Sequence, residues 1–369
     1  MPKNTRVRYA VVGLGYFAQA AALPAFSRLK NSRLCALVSD DPHKLRKLAR
    51  RYNVDNLVRY ADYDAFLRSG EVDAVYIVVP NFLHADYAIR ASQAGVHVLC
   101  EKPLAVTEAE CLAMSAAARE SSTRLMVGYR LHFESATLTM IDAVRAGKLG
   151  EPRLFDASLT MQVRDGNSRL RRSTVGGGPL YDVGIYCINA ARSVFQSEPI
   201  EVCALQATRS DDARFREAEE QFAAVLRFPN ERLASFNCAF GSADVSRLQV
   251  IGQKGVARMD PAFEYARGLK LEMQLGGRTS RRSFKKADQI AAEIMYFSNC
   301  ILRGRDPEPS GSEGLADVRV IEALLLSSQE RRCVELQPVG QRQRPTGALH
   351  EFVPPHAMPE LVRTSAPSR

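Results

Sequence analysis

Short runs rich in valine, isoleucine and leucine recur through the first 125 residues, at 7–12, 34–38, 74–79, 96–100 and 125–127, with helix-period patterns between them. Alternation of this kind predicts a parallel sheet covered by helices on both faces. The middle of the chain changes period. Segments 153–163, 200–208, 221–228, 233–239 and 269–275 alternate apolar and polar residues, as antiparallel strands with one buried face do. Helical patterns follow at 288–302 and 314–331, joined by a turn-rich connector that starts at Gly304. Beyond about Leu336 the chain is rich in proline and arginine with little periodicity, so an arm or a disordered tail is expected over 337–369. The expected class is α/β, with an N-terminal domain over 1–128 and an α+β domain over 129–336 built on a large, mostly antiparallel sheet.

The 369 residues, 46% hydrophobic and 25% charged, suffice for two domains with their own cores. No apolar run reaches the roughly 18 residues of a membrane span, and the N-terminus lacks the pattern of a secretory signal, so a cytoplasmic protein is expected. The formal charge of +9 is spread over many elements without an aromatic-interleaved basic stretch. It argues for attraction of anionic cofactors or sugar phosphates and against nucleic acid. Eight cysteines occur without a C-x-x-C pair, mostly in apolar segments, and read as reduced, buried thiols and not as a disulfide framework or zinc site. His43, His97, His132, His350 and His356 form no metal-like cluster, and no metal is implied.

The first strand runs into Gly13-Leu14-Gly15-Tyr16-Phe17-Ala18, which fits G-x-G-x-x-G/A, and a helical pattern begins at once over 16–29. Glycine at 13 permits the tight turn, glycine at 15 lets backbone N–H groups approach a pyrophosphate, and Ala18 permits close packing. The helix start adds partial positive charge. This is the signature of a Rossmann dinucleotide-binding domain. After the second strand, Asp40 could accept bonds from both ribose hydroxyls and favour NAD(H), whereas Ser39 and Lys44 could hold a 2'-phosphate and favour NADP(H). Asp40 and Asp41 also suit capping of the next helix.

Further along stand Val78-Val-Pro80-Asn81-Phe-Leu-His84, Cys100-Glu101-Lys102-Pro-Leu104, Gly128-Tyr129-Arg130 and Gly176-Gly-Gly-Pro-Leu-Tyr-Asp182-Val-Gly-Ile-Tyr186. In this order and spacing they resemble the glucose-fructose oxidoreductase / inositol dehydrogenase / rhizopine-catabolism family, shortened to Gfo/Idh/MocA, over roughly residues 5–336. The resemblance implies that Lys102 contacts both nicotinamide ribose and substrate, that Asp182 positions the substrate and the proton-transfer group, and that Tyr186 is the acid/base. Most members carry histidine at that last position; tyrosine there resembles the glucose-fructose oxidoreductase branch, which tips the cofactor expectation to NADP(H), with NAD(H) still possible. Pro80, Asn81 and His84 are implied on the nicotinamide side, Glu101 on the cofactor or on Lys102, and Tyr129 on the substrate. Arg130 is implied near nicotinamide or substrate, and Arg169 and Arg172 are implied to reach the cofactor from the second domain. For His84 and the arginines, packing or salt-bridge roles stay open.

The chemistry is consistent with these roles. Oxidising a carbinol needs a hydride acceptor and a group that takes the hydroxyl proton. Tyrosine does the second near neutrality only when a cation such as Lys102 stabilises its phenolate. If this segment is helical, Asp182, four residues before Tyr186, lies on the same face and can orient substrate hydroxyls or the lysine. The resulting expectation is hydride transfer between a cyclic sugar and a tightly bound NADP(H), aldose to lactone, with reduction of a second carbonyl sugar. The alternatives are a conventional dehydrogenase or reductase of an inositol, sugar phosphate or amino-sugar derivative, and a non-catalytic NADP-binding sensor. A homodimer or homotetramer formed through the open sheet face is also implied.

Overall fold

The computed structural model describes residues 6–340 and 344–368. Its first sheet is parallel and comprises β1 (Val7–Val12), β2 (Ser32–Val38), β3 (Asn56–Val58), β4 (Ala74–Ile77), β5 (His97–Glu101) and β6 (Leu125–Gly128), ordered β3-β2-β1-β4-β5-β6. All residues of β4 and β6 are buried, as a sheet covered on both faces requires. The order reverses direction beside β1, and that switch point opens the crevice where open α/β sheets bind ligands.

Helix α1 (Leu23–Ala25) is short, preceded by a π-helical turn at Ala18–Ala22 and followed by a 3₁₀ turn at Phe26–Arg28. Pro24 has no N–H to donate to Ala20, so a continuous α-helix cannot run through it. Helix α2 (Pro42–Tyr52) starts at Asp41, whose carboxylate accepts the N–H groups of His43 and Lys44 at 2.9 and 3.0 Å. Helices α3 (Tyr63–Leu67), α4 (His84–Gln93) and α5 (Glu108–Glu120) complete the first part, α5 opened by a reciprocal Thr107–Glu110 capping box.

After α6 (Ser135–Arg145) come β7 (Pro152–Gln162), α7 (Ile185–Phe195), β8 (Glu201–Ala207), β9 (Gln221–Phe228), β10 (Arg232–Ala239), β11 (Gly241–Gly252), β12 (Gly255–Met259), β13 (Lys270–Leu275) and β14 (Arg278–Ser283). Helices α8 (Gln289–Arg303) and α9 (Gly311–Glu330) and a short β15 (Val334–Glu335) follow. The second sheet has nine strands, β14-β13-β12-β11-β7-β10-β9-β8-β15. It is antiparallel except where β7 and β10 run parallel. Its alternation is plain in β9, where Phe222, Ala224, Leu226 and Phe228 are buried and the residues between them are exposed. One face packs on α7 and α9. The other leaves Leu154, Leu205, Val225, Leu233 and Val245 exposed, Leu205 to 67%.

Helix α8 does not serve the second sheet. Its Ile290, Ala291, Ile294 and Phe297 join Tyr9, Leu34 and Leu37 of the first sheet in one core cluster, so this late segment completes a face that Leu23, Phe26, Leu45 and Leu48 cover only in part. The reading of all eight cysteines as reduced thiols needs correction. Cys203 and Cys333 form a disulfide, while the other six are buried and free. The pairing of Val202 with Val334 sets the two cysteines opposite one another across 130 residues of sequence, which no local spacing reveals. Among the described residues no helix is long and apolar enough to cross a membrane.

Candidate active site

Gly13 closes the turn after β1 with φ +99°, a region unfavourable to side chains, and a Cβ there would lie 2.9 Å from the Val78 carbonyl oxygen. Gly15 has open space where a side chain would project. These features make a cradle that fits a pyrophosphate against bare backbone. Leu14 is buried beneath the loop, and Tyr16 and Phe17 are half-buried beside it. At the end of β2, Ser39 is buried and accepts the Asp41 N–H at 3.2 Å. Asp40 accepts the Tyr60 N–H at 3.0 Å, and Asp41 is the α2 cap. Of the polar side chains at 39–44, those of His43 and Lys44 make no hydrogen bond or ion pair among the described residues.

The proton-transfer candidates converge from both domains. Lys102 follows β5, at the carboxyl end of the first sheet, and its Nζ donates to the Asp182 carbonyl at 2.6 Å and carboxylate at 3.2 Å. Arg169 Nε donates to the other Asp182 oxygen at 2.6 Å. Burial alone would push the Asp182 carboxyl up, but the Arg169 guanidinium and Lys102 ammonium outweigh it and hold it at about 2. Asp182 lies in the π-helical turn Leu180–Gly184, and Tyr186 follows in the first turn of α7. The Lys102 ammonium stands 4.7 Å from the Tyr186 ring centroid. Arg130 approaches the same ring at 4.8 Å and donates to its hydroxyl from Nε at 3.2 Å. Its remaining donors go to Gln289 Oε1 at 2.7 Å and the Phe263 carbonyl at 2.5 Å, so the guanidinium binds the tyrosine to two later segments.

The glycine run has a steric cause. A Cβ on Gly177 would fall 1.9 Å from the Arg171 carbonyl oxygen, so the loop carrying Arg169 can fold onto the run only where no side chain intervenes. Asn81 Nδ2 donates to the Gly176 carbonyl at 2.7 Å, and Arg171 lies 5.7 Å from the Phe82 ring, two contacts that join the domains beside exposed Pro80.

His84, Tyr129 and Arg172 lie in three different settings. His84 is buried, with its ring nitrogens 2.8 and 3.0 Å from the Pro103 and Val79 carbonyls, and so braces the backbone next to Lys102. Tyr129 is buried and stacks on His132 at 5.3 Å, and it lines a small cavity together with Tyr186 and Asn189. Arg172 is exposed on the loop.

Several participants escape the motifs. Tyr76 donates to Glu101 at 2.6 Å, with Glu293 of α8 3.3 Å from the same hydroxyl. Burial pushes both carboxyls up, and at Glu293 the neighbouring Glu101 charge pushes in the same direction. An acidic residue inside the apolar stripe of 290, 294 and 297 was the available signal. Beneath the site, His132 donates to Glu308 and Asn189, both at 2.8 Å. Burial disfavours its charge, but Glu308 overcomes that and holds the imidazolium up to about 9. Asn189 extends the network to Glu313 and Asp317, which together with Glu198 surround fully buried Arg192.

Comparison with known proteins agrees with this architecture. Residues 7–129 match the oxidoreductase family with an NAD-binding Rossmann fold, and residues 137–258 match the Gfo/Idh/MocA C-terminal domain. The crystal structure of aldose-aldose oxidoreductase from Caulobacter crescentus superposes with a TM-score of 0.86 at 39% identity, covering 90% of this chain and 100% of that one. D-xylose 1-dehydrogenase [NADP(+)] from Haloarcula marismortui is 29% identical over 337 residues, 89% of this chain and 93% of that protein. A 3-ketoreductase from Actinomadura kijaniata, solved with NADP and TDP-benzene, gives a TM-score of 0.79 at 26% identity over 87% of this chain and 98% of its own. The chain belongs to the Gfo/Idh/MocA family of oxidoreductases with an NAD-binding Rossmann fold.

Proposed function

We propose that this protein oxidises a cyclic aldose to its lactone and reduces a second carbonyl sugar, using NADP(H) retained between turnovers. The observation that carries the reading is the Lys102–Asp182–Arg169 chain of ion pairs, with Lys102 and Arg130 both approaching Tyr186. The 39% identity to an aldose-aldose oxidoreductase supports the substrate class, and relatives named for NADP support the cofactor.

When bound, the nicotinamide supplies the hydride chemistry. Gly13, Leu14, Gly15, Tyr16 and Phe17 would cradle the pyrophosphate end, and Ser39, Asp40 and Lys44 would surround the adenosine ribose and its phosphate. Pro80, Asn81 and Glu101 would border the nicotinamide ribose, with Lys102 reaching both ribose and sugar. Tyr186 takes the proton from the sugar hydroxyl at its phenolic oxygen, with the Lys102 ammonium over its ring and Arg130 Nε donating to that oxygen. Asp182 keeps the Lys102 ammonium at the ring, and Arg169 keeps Asp182 charged. In the reverse half-reaction the phenol returns the proton to the second sugar's carbonyl oxygen.

The exposed apolar residues share one sheet face, since Leu154 pairs with Leu233 and Val225 lies two residues from Arg227, the other partner of Leu233. A second copy of the chain covering this face gives a dimer or tetramer.

The test begins with extensively dialysed protein, analysed for nicotinamide by absorbance and mass. An aldose panel is then run without added cofactor. Retained NADP(H) that turns over with sugars alone is the expected result. Empty protein that needs added NADP would favour a conventional dehydrogenase, the reading to which the xylose dehydrogenase relative points. Tyr186→Phe should bind cofactor and lose most turnover; near-normal rates would refute the proton-transfer role.

A further inference from the structure

Residues 344–368 lack periodicity, yet they follow a defined path. The Val353 carbonyl accepts the Asp288 N–H at 2.8 Å, and the Val353 side chain is buried. His356 lies 2.8 Å from the Asp288 carboxylate and 2.9 Å from the Ala20 carbonyl, the group to which Pro24 cannot donate. Glu360 then pairs with Lys47 of α2 at 2.9 Å, and its carbonyl accepts from Arg51 at 2.5 Å.

Val362 is the central contact. It is 2% exposed, its N–H donates to Gln19 Oε1 at 2.7 Å, and its carbonyl accepts from Gln19 Nε2 at 3.0 Å. The same Nε2 donates to the Leu14 carbonyl at 3.0 Å, so one buried glutamine ties this segment to the glycine-rich loop. Arg363 follows, 62% exposed, with its guanidinium 3.7 Å from Asp41 at the adenosine end of the crevice. Four residues later the chain has reached the other domain. The Pro367 carbonyl accepts the Arg164 N–H at 2.9 Å, and Ser368 bridges Val163. Those residues lead into the loop that carries Arg169.

We propose that residues 353–368 form a clasp across the dinucleotide crevice, in which Arg363 adds a second cation beside Lys44 for the adenosine phosphate. The proposal rests on the reading that this crevice holds NADP(H). The segment is anchored on the glycine-rich loop at one end and beside the Arg169 loop at the other, so it spans the opening between the domains. A dinucleotide lying along β1 and β2 leaves only after at least one anchor has released. The chemistry also sets a preference. A cation beside Asp41, two residues from Ser39 and three from Lys44 in the chain, favours a ribose bearing a 2'-phosphate over one with a free hydroxyl.

The test uses the full-length protein, a chain ending at His350, and the variants Val362→Asp and Arg363→Ala, each first checked for wild-type circular dichroism and melting. Protein loaded with NADPH is mixed with excess NADP+, and release is followed by the decay of bound-NADPH fluorescence. Release should accelerate at least tenfold in the truncated chain and in Val362→Asp, the latter standing alone if the truncated chain does not fold. By calorimetry, Arg363→Ala should weaken NADPH about tenfold and NADH less than twofold. Unchanged release in both arm variants overturns the clasp, and so does tighter NADPH binding on truncation, which would mean that the arm competes with the cofactor. A wild-type protein that takes up no NADPH overturns both the clasp and the cofactor reading. A wild-type protein that binds NADPH but needs fresh cofactor for each turnover overturns only the retained-cofactor reaction; the clasp is then supported if release still accelerates.

Discussion

Asp182→Asn tests whether the electrostatics of the site are as described. The carboxylate lies between Arg169 Nε at 2.6 Å and Lys102 Nζ at 3.2 Å, and its side chain is only 16% exposed. Holding it at about 2, against an ordinary 3.8, corresponds to about 2.5 kcal/mol of preference for the charged form in the folded state. Because the folded value is depressed, that stabilisation is fully present above pH 4 and is lost as pH falls toward 2. Asparagine offers one carbonyl and no charge, leaving two cations without their common partner. Urea unfolding followed by circular dichroism should therefore place the variant about 2.5 kcal/mol below wild type at pH 6, with the gap shrinking between pH 4 and 3. Turnover should fall while NADPH affinity holds within a fewfold, since the residue steers Lys102 and not the pyrophosphate. A gap independent of pH, or no gap at pH 6, would refute the reasoning.

The His132–Glu308 pair has the opposite sign: with the imidazolium held up to about 9, its contribution is complete below pH 6.5 and disappears as pH rises through 9. Denaturation from pH 6.5 to 9.5 should show wild type losing about 3 kcal/mol from this source, and His132→Gln should lose much less over that range; parallel curves would contradict the assignment. Gly13→Ala places a Cβ 2.9 Å from the Val78 oxygen at a positive φ, and calorimetry should show NADPH affinity reduced at least tenfold, with wild-type affinity as the contrary result. Arg130→Met strands the Gln289 and Phe263 oxygens, at about 1–3 kcal/mol each. It should also lower turnover at least tenfold, with partial recovery in Arg130→Lys; equal turnover in both variants would exclude a role at Tyr186.

The parallel sheet, the glycine-rich turn and the helices near 288 and 314 were legible because each carries a strong local period. Pairing between distant strands leaves no such mark. The parallel register of β7 with β10 and the Cys203–Cys333 bond depend on elements brought together from far along the chain. Motif position located Lys102, Asp182 and Tyr186 in one place, but it could not tell that the ring nitrogens of His84 face the Pro103 and Val79 carbonyls. The final segment was the least legible. Its anchors are single residues, Val353, His356 and Val362, whose partners at Asp288, Ala20 and Gln19 lie far upstream.

The position of α8 bears on how the protein is made. The face of the first sheet that α8 covers is specified by residues completed when the ribosome has passed Gly128, but its cover ends at Arg303, about 175 residues later. At roughly 5–20 residues per second, Tyr9, Leu34 and Leu37 wait on the order of 10–35 s for Ile290 and Phe297. During that interval the nascent chain presents to the cell the part of this apolar face that α8 covers. A fragment ending near residue 128 should therefore be captured by chaperones or aggregate, and the N-terminal unit should become protease-resistant on ribosomes only after α8 has emerged from the exit tunnel.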